Sequence, residues 1–364
     1  MRHAFPACGR RAAGGERRRL LLSRILVTGA AGLIGGEVCA RLVAAGHRVT
    51  ALVHRNPMVC GNDGWDVPVS ETVGCDIRQD KLGLDGETFA RLAREHDLVI
   101  HCAATIRFDL SDEEYEAVNT RGTANVIALA RAGGAGLVHV STAYVCGTRD
   151  GPIGEDDPLP ASGAFANGYE ASKAAGERLV RESGLDFAIA RPAIVLGEYE
   201  SGRIRGFDAL YAAFRLMAEG RIRTIPVRED GTLNFVPIDH VAGGIVAIAQ
   251  QMGAASGGTF HLVAAQPLPV HEFAAAIGGY EQFHAPDLAR HDRFDASVLP
   301  AMERRLHRRV AGLYASYFQR DPRFDDGRFR ALTGIESGPA DRAYMQRLID
   351  FCIADGFLPA APAD

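Results

Sequence analysis

The chain has 364 residues, of which 47% are hydrophobic and 23% charged, and its formal net charge is −5. These values are typical of a globular protein that buries a substantial core without disulfides. The mild acidity gives no electrostatic reason to expect nucleic acid as a partner, and no run approaches the roughly 20 apolar residues of a membrane span. The 7 cysteines show no C-x-x-C spacing, which argues against a disulfide framework or a zinc site and indicates a reducing, cytoplasmic setting.

The first 22 residues differ from the rest and are predicted to form a basic, disordered tail (1–22). Arg17–Arg19 precede Leu20–Leu22 in a segment otherwise rich in Gly and Ala. A basic stretch before an apolar one is typical of a signal peptide, but this apolar run is too short and merges into the first predicted strand. A disordered tail or an upstream start codon is the simplest interpretation, and an Arg-rich organelle-targeting segment is the alternative.

From Arg24 onwards, short apolar runs alternate with helical patterns. The predicted strands and helices of this part are strands at 24–28, 48–53, 72–75, 98–101, 136–141 and 186–190, with helices at 33–45, 112–131 and 168–183. Strands separated by helices of this length imply right-handed βαβ units. The sequence therefore predicts an α/β fold of Rossmann type, a doubly wound parallel sheet.

After Gly197 the alternation changes, and this change sets the predicted domain organisation. The parts are a nucleotide-binding core at 23–198, a substrate-lobe insertion at 199–232, a return to the core at 233–264, and a smaller, mainly helical C-terminal substrate lobe at 265–364. The insertion contains an amphipathic helix around 207–216, and the return reads as strand, helix (239–251) and strand. The C-terminal lobe is predicted to contain helices at 300–318 and 341–355.

The sequence TGAAGLIGG follows the first strand and opens the first helix, which is the position of a dinucleotide-binding turn. Gly29 permits the tight turn, Gly32 lets the backbone approach a pyrophosphate, and Gly35 lets the helix pack against the strand. The helix N-terminus offers free N–H groups to phosphates. The residues predicted to bind a nicotinamide dinucleotide are Thr28, Gly29, Gly32, Leu33, Ile34, Gly35, Arg55, Asp76, Ile77, Cys102, Ala103, Ala104, Tyr169, Lys173, Pro192, Ile194 and Val195.

The end of the second strand indicates which dinucleotide is bound. NAD-specific sites usually carry an acidic residue there to hold the ribose 2′-hydroxyl, whereas this strand ends in Val53, His54 and Arg55. Arg55 can pair with the 2′-phosphate of NADP, so NADP(H) is predicted in preference to NAD(H). The alternative is that Arg55 is a solvated residue at a strand end. Asp76 is expected to accept a hydrogen bond from the adenine amino group.

Tyr169 and Lys173 are the predicted catalytic pair, because their i, i+4 spacing in YEASK puts both on one helix face. A free tyrosine has a pKa of about 10, and a nearby ammonium is expected to lower it. Thr142, at the end of the fifth strand, is expected to hydrogen-bond the substrate carbonyl. Ser141 is the alternative hydroxyl, and the register to Gly147 favours Thr142.

Three further polar residues are interpreted as structural. Asn119 precedes the Gly-Thr pair at 122–123 and has a structural or a proton-relay role, of which the structural role is favoured. His101 and His139 lie within predicted strands and are expected to be core residues rather than ligands.

Taken together, these residues resemble the extended short-chain dehydrogenase/reductases from about Arg24 to at least Val263, and the G-x-x-G-x-x-G spacing fits that group. The sequence is most similar to the fatty acyl-CoA reductases and to the thioester reductase domains of carboxylic acid reductases and peptide synthetases. The stretches that carry this similarity are HCAATIRFD (101–109), HVSTAYV (139–145), FANGYEASKAAGERLV (165–180) and the segment at 190–220.

The resemblance implies NADPH as hydride donor, catalytic roles for Thr142, Tyr169 and Lys173, and an acyl thioester substrate on CoA or a carrier protein. The implied product is an aldehyde, with a second reduction to an alcohol possible. The chain carries no adenylation or carrier domain, so ketone reduction also fits. The arginines at 203, 205, 221 and 223, or the Arg304–Arg309 cluster, either hold a CoA or phosphopantetheine phosphate or form a solvated basic face.

Two other classes of function remain as alternatives. A sugar-nucleotide epimerase or dehydratase of the same superfamily is disfavoured by Arg55 and by the apolar, aromatic segment at 207–216. A non-catalytic NADP-binding regulator is disfavoured because the Tyr169–Lys173 pair is intact. The expected assembly is a monomer or a homodimer.

Overall fold

The computed structural model describes residues 23–362, apart from the side chains at positions 209, 310, 311 and 313; the predicted tail at 1–22 lies outside this range. The strands are β1 (Arg24–Thr28), β2 (Arg48–Val53), β3 (Glu71–Gly74), β4 (Leu98–His101), β5 (Gly136–Val140), β6 (Gly151–Ile153), β7 (Phe187–Pro192), β8 (Ile194–Leu196), β9 (Thr224–Val227), β10 (Thr232–Leu233), β11 (Phe235–Pro237), β12 (Gly258–Leu262), β13 (Leu268–Pro269), β14 (Asp287–Arg290) and β15 (Pro322–Phe324). The helices are α1 (Leu33–Ala44), α2 (Gly86–Glu95), α3 (Asp112–Tyr115), α4 (Gly122–Gly133), α5 (Gly168–Arg181), α6 (Ala209–Ala218), α7 (Ile238–Gln250), α8 (Met252–Ala255), α9 (Val270–Ile277), α10 (Ala301–Leu306), α11 (Gly312–Gln319), α12 (Gly327–Thr333) and α13 (Arg342–Ala354).

A parallel sheet of 7 strands, in the order β3-β2-β1-β4-β5-β7-β12, forms the centre of the molecule. Its inner strands are mainly buried and apolar because both faces are covered by helices, whereas the edge strand β3 is partly exposed. A separate hydrophobic cluster lies on each face. The strand order reverses between β1 and β4, and in such sheets ligands bind at the carboxyl ends of the strands at this point. The prediction of a doubly wound Rossmann-type fold is confirmed.

The helix predicted at 112–131 is interrupted in the structure. It consists of α3, a π-helical segment at Glu116–Arg121, and α4. The interrupted segment carries Asn119, whose buried side chain bonds to the backbone of Thr105 and to the hydroxyl of Ser172 on α5. Segments of this kind often occur at functional sites, and here one joins the loop after β4 to the helix that carries Tyr169.

Helix α2 was not among the predicted elements, although its sequence signals are ordinary ones. Asp85 precedes it and accepts hydrogen bonds from the N–H groups of Glu87 and Thr88, as an N-cap residue does. Leu92 then packs into the cluster that covers one face of the sheet. This helix forms the crossover between β3 and β4.

The chain after β8 supplies most of the second lobe, which packs next to the carboxyl edge of the sheet. Its aromatic core includes Phe207, Phe214, Phe235 and Phe273, whose ring centroids are 5.4–6.1 Å apart where they meet directly, and Phe207 stacks on Phe357. Strands β15 and β6 pair in parallel and connect this lobe to the core. Within residues 23–362, no helix combines the length and apolar character that a membrane crossing requires.

Candidate active site

The glycine turn after β1 leaves no space for side chains. Gly29 has φ +67°, and a Cβ atom there would lie 2.6 Å from the backbone nitrogen of Ala103. A Cβ at Gly35 would lie 2.2 Å from the carbonyl oxygen of Gly29. Gly32 is the N-cap of α1, and no side chain caps this helix. The first turn of α1 therefore keeps its N–H groups for an anion, which fits a pyrophosphate.

A groove with a volume of about 460 Å³ runs from this turn across the carboxyl ends of β1, β2 and β4. Its lining residues are Gly29, Ala31, Gly32, Leu52, Val53, His54, Arg55, Asn56, Cys75, Asp76, Ile77, Arg78, Cys102, Ala103, Ala104, Thr105 and Val118. The predicted cofactor residues of the turn, of the β2 end, of the β3 end and of the segment after β4 are thus brought together. Small or apolar side chains predominate beside the turn, so the residues present fit a nicotinamide dinucleotide.

Other residues predicted to contact the cofactor lie outside the groove lining. Thr28 is buried, and its hydroxyl lies 2.7 Å from Nδ1 of His101. Leu33 and Ile34 are partly buried in the first turn of α1 and pack against the core. Ile194 and Val195 belong to β8, which follows β7 and pairs with β11 in a separate two-stranded sheet. For these residues, for Gly35, Tyr169, Lys173 and Pro192, and for the residues that line the groove, the cofactor assignment stays a prediction.

Arg55 and Asp76 lie at the end of the groove where the adenosine part of a dinucleotide is expected. Arg55 is exposed, and in the described part of the chain it makes no ion pair. The carboxylate of Asp76 instead accepts hydrogen bonds from the Arg78 side chain at 2.8 and 2.7 Å and from Gln79 at 3.1 Å. The Arg78 guanidinium holds the pKa of Asp76 well below its usual range, so Asp76 carries a negative charge beside the groove.

Helix α5 brings the predicted catalytic pair to the end of β5. Asn167 caps the helix by accepting a hydrogen bond from the N–H of Glu170. The Lys173 ammonium is buried and donates to the carbonyl oxygen of Val140 at 2.7 Å. Burial lowers the pKa of Lys173 to about 8, although the Glu177 carboxylate acts in the opposite direction. Cys102, in the groove wall, is close enough for the two groups to perturb each other's pKa.

The expectation of a lowered pKa for Tyr169 is wrong for the protein as described. Burial raises the pKa of the Tyr169 phenol, and the nearby Thr142 hydroxyl offsets only part of that increase. The sequence spacing places the Lys173 ammonium on the same helix face, but its bond is to Val140. Tyr169 is therefore held as a neutral phenol, which is the form that donates a proton.

The structure separates the two candidate hydroxyls at the end of β5. Thr142 faces Tyr169, and its Oγ1 donates to the carbonyl oxygen of Pro192 at 3.3 Å and accepts from the N–H of Tyr144 at 3.3 Å. Ser141 faces the opposite side of the extended backbone, towards the Glu177 carboxylate. Successive side chains of an extended segment point to opposite sides, so Thr142 alone of the two lies beside the phenol.

A buried ion pair supports the end of β5 and the helix α5. Glu177 and Arg191 are 0% and 2% exposed, and their two hydrogen bonds measure 2.9 and 2.7 Å. Burial disfavours the charged carboxylate, but the Arg191 guanidinium outweighs this effect and lowers the pKa of Glu177. The pair ties the middle of α5 to β7, the strand that follows it.

An aromatic cover, defined as Phe108, Tyr314 and Tyr317, lies over the Tyr169 phenol. The ring of Phe108 meets Tyr169 edge to face at 5.3 Å and also meets Tyr314 at 5.3 Å and Tyr317 at 6.0 Å. Sequence reasoning did not identify these residues as part of the site. Phe108 belongs to one of the stretches that carry the family resemblance, but the two tyrosines approach it from α11, about 200 residues further along the chain.

The polar residues interpreted as structural have the following partners. The side chain of Asn119 is fully engaged with Thr105 and Ser172. His101 lies between the hydroxyls of Thr28 and Thr123, at 2.7 and 3.2 Å. His139 is fully buried, and its ring lies 5.3 Å from that of His101, with the two ring planes tilted by 39°. Burial lowers the pKa of both histidines, so both rings are neutral.

The arginines proposed to hold a phosphate fall into two groups. Within the insertion, Arg205 donates to the backbone oxygens of Cys60 and Ala31. The other arginines there contact Glu198, Glu219 and the carbonyl oxygen of Gly220. In the C-terminal cluster, Arg304 donates to the carbonyl oxygen of Ser297. By contrast, three arginines of the cluster are exposed and form no ion pair in the described part of the chain: Arg305, Arg308 and Arg309.

Comparison with known proteins agrees with this geometry. The family described as "Male sterility protein", an NAD-binding family, matches residues 69–245. The chain is 24% identical to an isonitrile lipopeptide synthase of Streptomyces coeruleorubidus over 93% of this chain and 25% of that protein. It is 25% identical to the aldehyde reductase lnaA of Aspergillus flavus over 66% of this chain and 25% of that protein. The chain thus spans about a quarter of the length of these relatives.

One solved structure aligns over almost the whole molecule. The terminal R domain of the myxalamid PKS-NRPS biosynthetic pathway superposes with a TM-score of 0.80 and 25% identity, covering 94% of this chain and 93% of that one. The sheet, the glycine turn and the Tyr169–Lys173 helix define a nicotinamide-dinucleotide-binding enzyme of the extended short-chain dehydrogenase/reductase class. Within that class, the chain is similar to the thioester reductase-like group.

Proposed function

We propose that this chain is an NADPH-dependent reductase that converts an acyl thioester to an aldehyde. The observation that carries the proposal is the pair of hydroxyl groups, Thr142 and Tyr169, held together beneath an apolar cover at the end of the dinucleotide groove. Two hydroxyl donors in a site without bulk water suit a carbonyl oxygen on which negative charge develops. A sugar ring with many hydroxyls has few polar partners in such surroundings.

The residues divide the chemistry as follows. When bound, the dinucleotide supplies the hydride. Thr142 turns its hydroxyl proton from the Pro192 carbonyl oxygen to the thioester oxygen, and Tyr169 transfers its proton to that oxygen as the carbonyl carbon gains the hydride and its two electrons. The resulting hemithioacetal then breaks its C–S bond and yields an aldehyde and a free thiol. The Lys173 ammonium, which donates to the Val140 carbonyl oxygen, would hold the ribose hydroxyls of a bound dinucleotide and favour the phenolate that remains.

NADPH is proposed as the donor in preference to NADH. Arg55 lines the groove at the end of β2, is exposed, and is not engaged in an ion pair in the described structure. No carboxylate follows β2 directly in the sequence, and Asp76, beside it, is already engaged with Arg78. A free guanidinium matches the geometry of a 2′-phosphate.

The thioester is proposed to arrive on CoA or on the phosphopantetheine arm of a carrier protein. Arg305, Arg308 and Arg309 support this proposal because they form an exposed basic surface on the helix that continues into α11, which carries the aromatic cover. The remaining arginines considered from the sequence are occupied by contacts within the protein. A cytoplasmic location is proposed on the cysteine pattern.

The proposal is tested by mixing the purified chain and NADPH with acyl-CoAs, acylated carrier protein, aldehydes, ketones and nucleotide sugars while the NADPH absorbance is followed. Consumption of NADPH with acyl thioesters, together with release of free thiol and formation of aldehyde, is expected. Turnover of nucleotide sugars without net NADPH loss would instead establish the epimerase alternative. Activity on ketones alone would contradict the thioester assignment and leave only the reductase class.

A further inference from the structure

A second buried ion pair, between Glu170 and Arg320, lies outside the catalytic set described above. Glu170 directly follows Tyr169 on α5 and is 0% exposed, and Arg320 directly follows α11 and is 6% exposed. The two residues are 150 positions apart in the sequence. Nη1 and Nη2 of Arg320 both contact the carboxylate, and Nη1 lies 3.2 Å from Oε2. The pair thus joins the catalytic helix to the C-terminal lobe.

Arg320 also contacts the turn that follows β5. Its Nη1 donates to the carbonyl oxygen of Gly147 at 2.6 Å. Its guanidinium lies over the rings of Tyr144 and Tyr317, at 5.0 and 5.6 Å from their centroids, and these two rings meet edge to face at 4.5 Å. Arg320 is therefore fixed by three parts of the structure: α5, the turn after β5, and the helix α11 itself.

Tyr317 lies against the Arg320 guanidinium. Tyr317 and Tyr314, on α11, hold the ring of Phe108, and that ring covers Tyr169. We propose that Arg320 is a positioning residue, which through its ion pair with Glu170 holds α11 and the aromatic cover in place over the catalytic phenol. This inference rests on the proposed role of Tyr169 as the proton donor.

The charges of the pair also bear on the site. Burial raises the pKa of Tyr169, Tyr317 and Glu170; the Glu170 carboxylate adds to the increase at both tyrosines, and the Arg320 guanidinium opposes the increase at Tyr317 and Glu170. A buried carboxylate without its guanidinium is strongly disfavoured. Loss of Arg320 alone therefore leaves a carboxyl group beside Tyr169 that takes up a proton more readily than in the intact protein.

A matched control exists elsewhere in the same lobe. Arg347 donates to the carbonyl oxygen of Tyr199 at 2.6 Å and lies over its ring at 4.6 Å. It has the same residue type, a backbone acceptor and an aromatic partner, but it contacts neither α5 nor the aromatic cover. Substitution of Arg347 shows how much of any effect comes from general loosening of the lobe.

The experiment compares four variants with the wild-type chain. Three are single substitutions, Arg320→Met, Arg320→Lys and Arg347→Met, and the fourth is a double variant that combines Glu170→Gln and Arg320→Met. Arg320→Met is expected to lower kcat by about 10- to 100-fold with a smaller change in KM, since misplacement near 1 Å has effects of this size. It should also introduce a transition in the kcat–pH profile that the double variant lacks. Arg320→Lys should recover part of kcat, because it keeps the charge without the planar fork.

Hydrogen exchange on the chain without cofactor provides a second readout that does not require turnover. Arg320→Met should accelerate exchange in α11 and in the 143–147 turn, whereas Arg347→Met should leave both unchanged. Equal loss of kcat in Arg320→Met and Arg347→Met, or unchanged exchange at α11 in Arg320→Met, overturns the inference. If the wild-type chain reduces no substrate, the proposed function fails, and the exchange experiment still decides whether Arg320 positions α11.

Discussion

Substitution of Gly35 by Ala tests the glycine turn without altering any side chain that touches the cofactor. Gly35 lies in α1 with helical backbone geometry, so alanine is compatible with the local conformation. Its Cβ atom, however, would lie 2.2 Å from the carbonyl oxygen of Gly29, whereas ordinary contact begins at 3.4 Å. The turn must therefore open by about 1.2 Å, the difference between these two distances.

An opening of this size is enough to break hydrogen bonds between the turn and a phosphate. An N–H···O bond of about 2.9 Å that lengthens by 1 Å no longer meets the geometric limits of a hydrogen bond. Each hydrogen bond to a charged group contributes roughly 1.5–3 kcal/mol, and about 1.4 kcal/mol corresponds to a tenfold change in Kd. Gly35→Ala should therefore weaken NADPH binding by roughly 10- to 150-fold per bond lost.

The assay is calorimetric titration of NADPH into the wild-type and variant chains, with thermal unfolding measured in parallel. Gly253→Ala is the matched control, because a Cβ at that helical glycine meets no atom within 4 Å; its Kd should equal that of the wild type. An unchanged NADPH Kd in a folded Gly35→Ala variant would refute the assignment of this turn to the pyrophosphate.

Four further predictions concern stability, cofactor choice and pH. Arg191→Met leaves the Glu177 carboxylate buried without its partner, which should lower the free energy of unfolding by about 3–5 kcal/mol. With an entropy of unfolding of about 2.1 cal/mol/K per residue, Tm should fall by about 4–7 °C. A wild-type Tm for this variant in thermal unfolding would contradict the prediction. Arg55→Ala should reduce affinity for NADPH at least about tenfold and leave NADH unchanged, and equal losses for both would exclude a 2′-phosphate contact. Because burial lowers the pKa of Lys173 to about 8, kcat/KM should decrease as pH rises through about 8, when the ammonium loses its proton; a flat profile to pH 10 would contradict this. Burial raises the pKa of Glu155 to about 7, so the folded state binds the proton more tightly than the unfolded state. The free energy of unfolding should therefore fall as pH rises from about 4.5 to 7. Chemical denaturation measures this slope, which Glu155→Gln should remove.

Sequence patterns were sufficient to predict the parts of the fold that depend on residues close together in the chain. The apolar runs at β1, β4 and β5 and the glycine turn identify a dinucleotide fold because each strand is followed by its own helix. The comparisons confirm the class and the group that these motifs indicated. The roles of Thr142, Tyr169 and Lys173 remain predictions, although the structure brings Thr142 and Tyr169 together.

The features that were missed depend on contacts between distant parts of the chain. The pairing of β6 with β15 and the ion pair between Glu170 and Arg320 join segments that are about 150–170 residues apart, and no local pattern indicates either. The sign of the pKa shift at Tyr169 was predicted wrongly because i, i+4 spacing shows which residues share a helix face but not how deeply they are buried. Burial dominates here, because the rings of the aromatic cover exclude water from the phenol.

The central claim is that Tyr169 protonates the carbonyl oxygen of a thioester while NADPH is consumed. The most direct measurement is the rate of NADPH consumption by Tyr169→Phe with a saturating acyl thioester that the wild-type chain reduces. The account predicts a loss of kcat of about 10²- to 10⁴-fold, as expected for removal of a general acid, with NADPH affinity and Tm close to the wild-type values. A Tyr169→Phe variant that retains wild-type kcat would contradict the account.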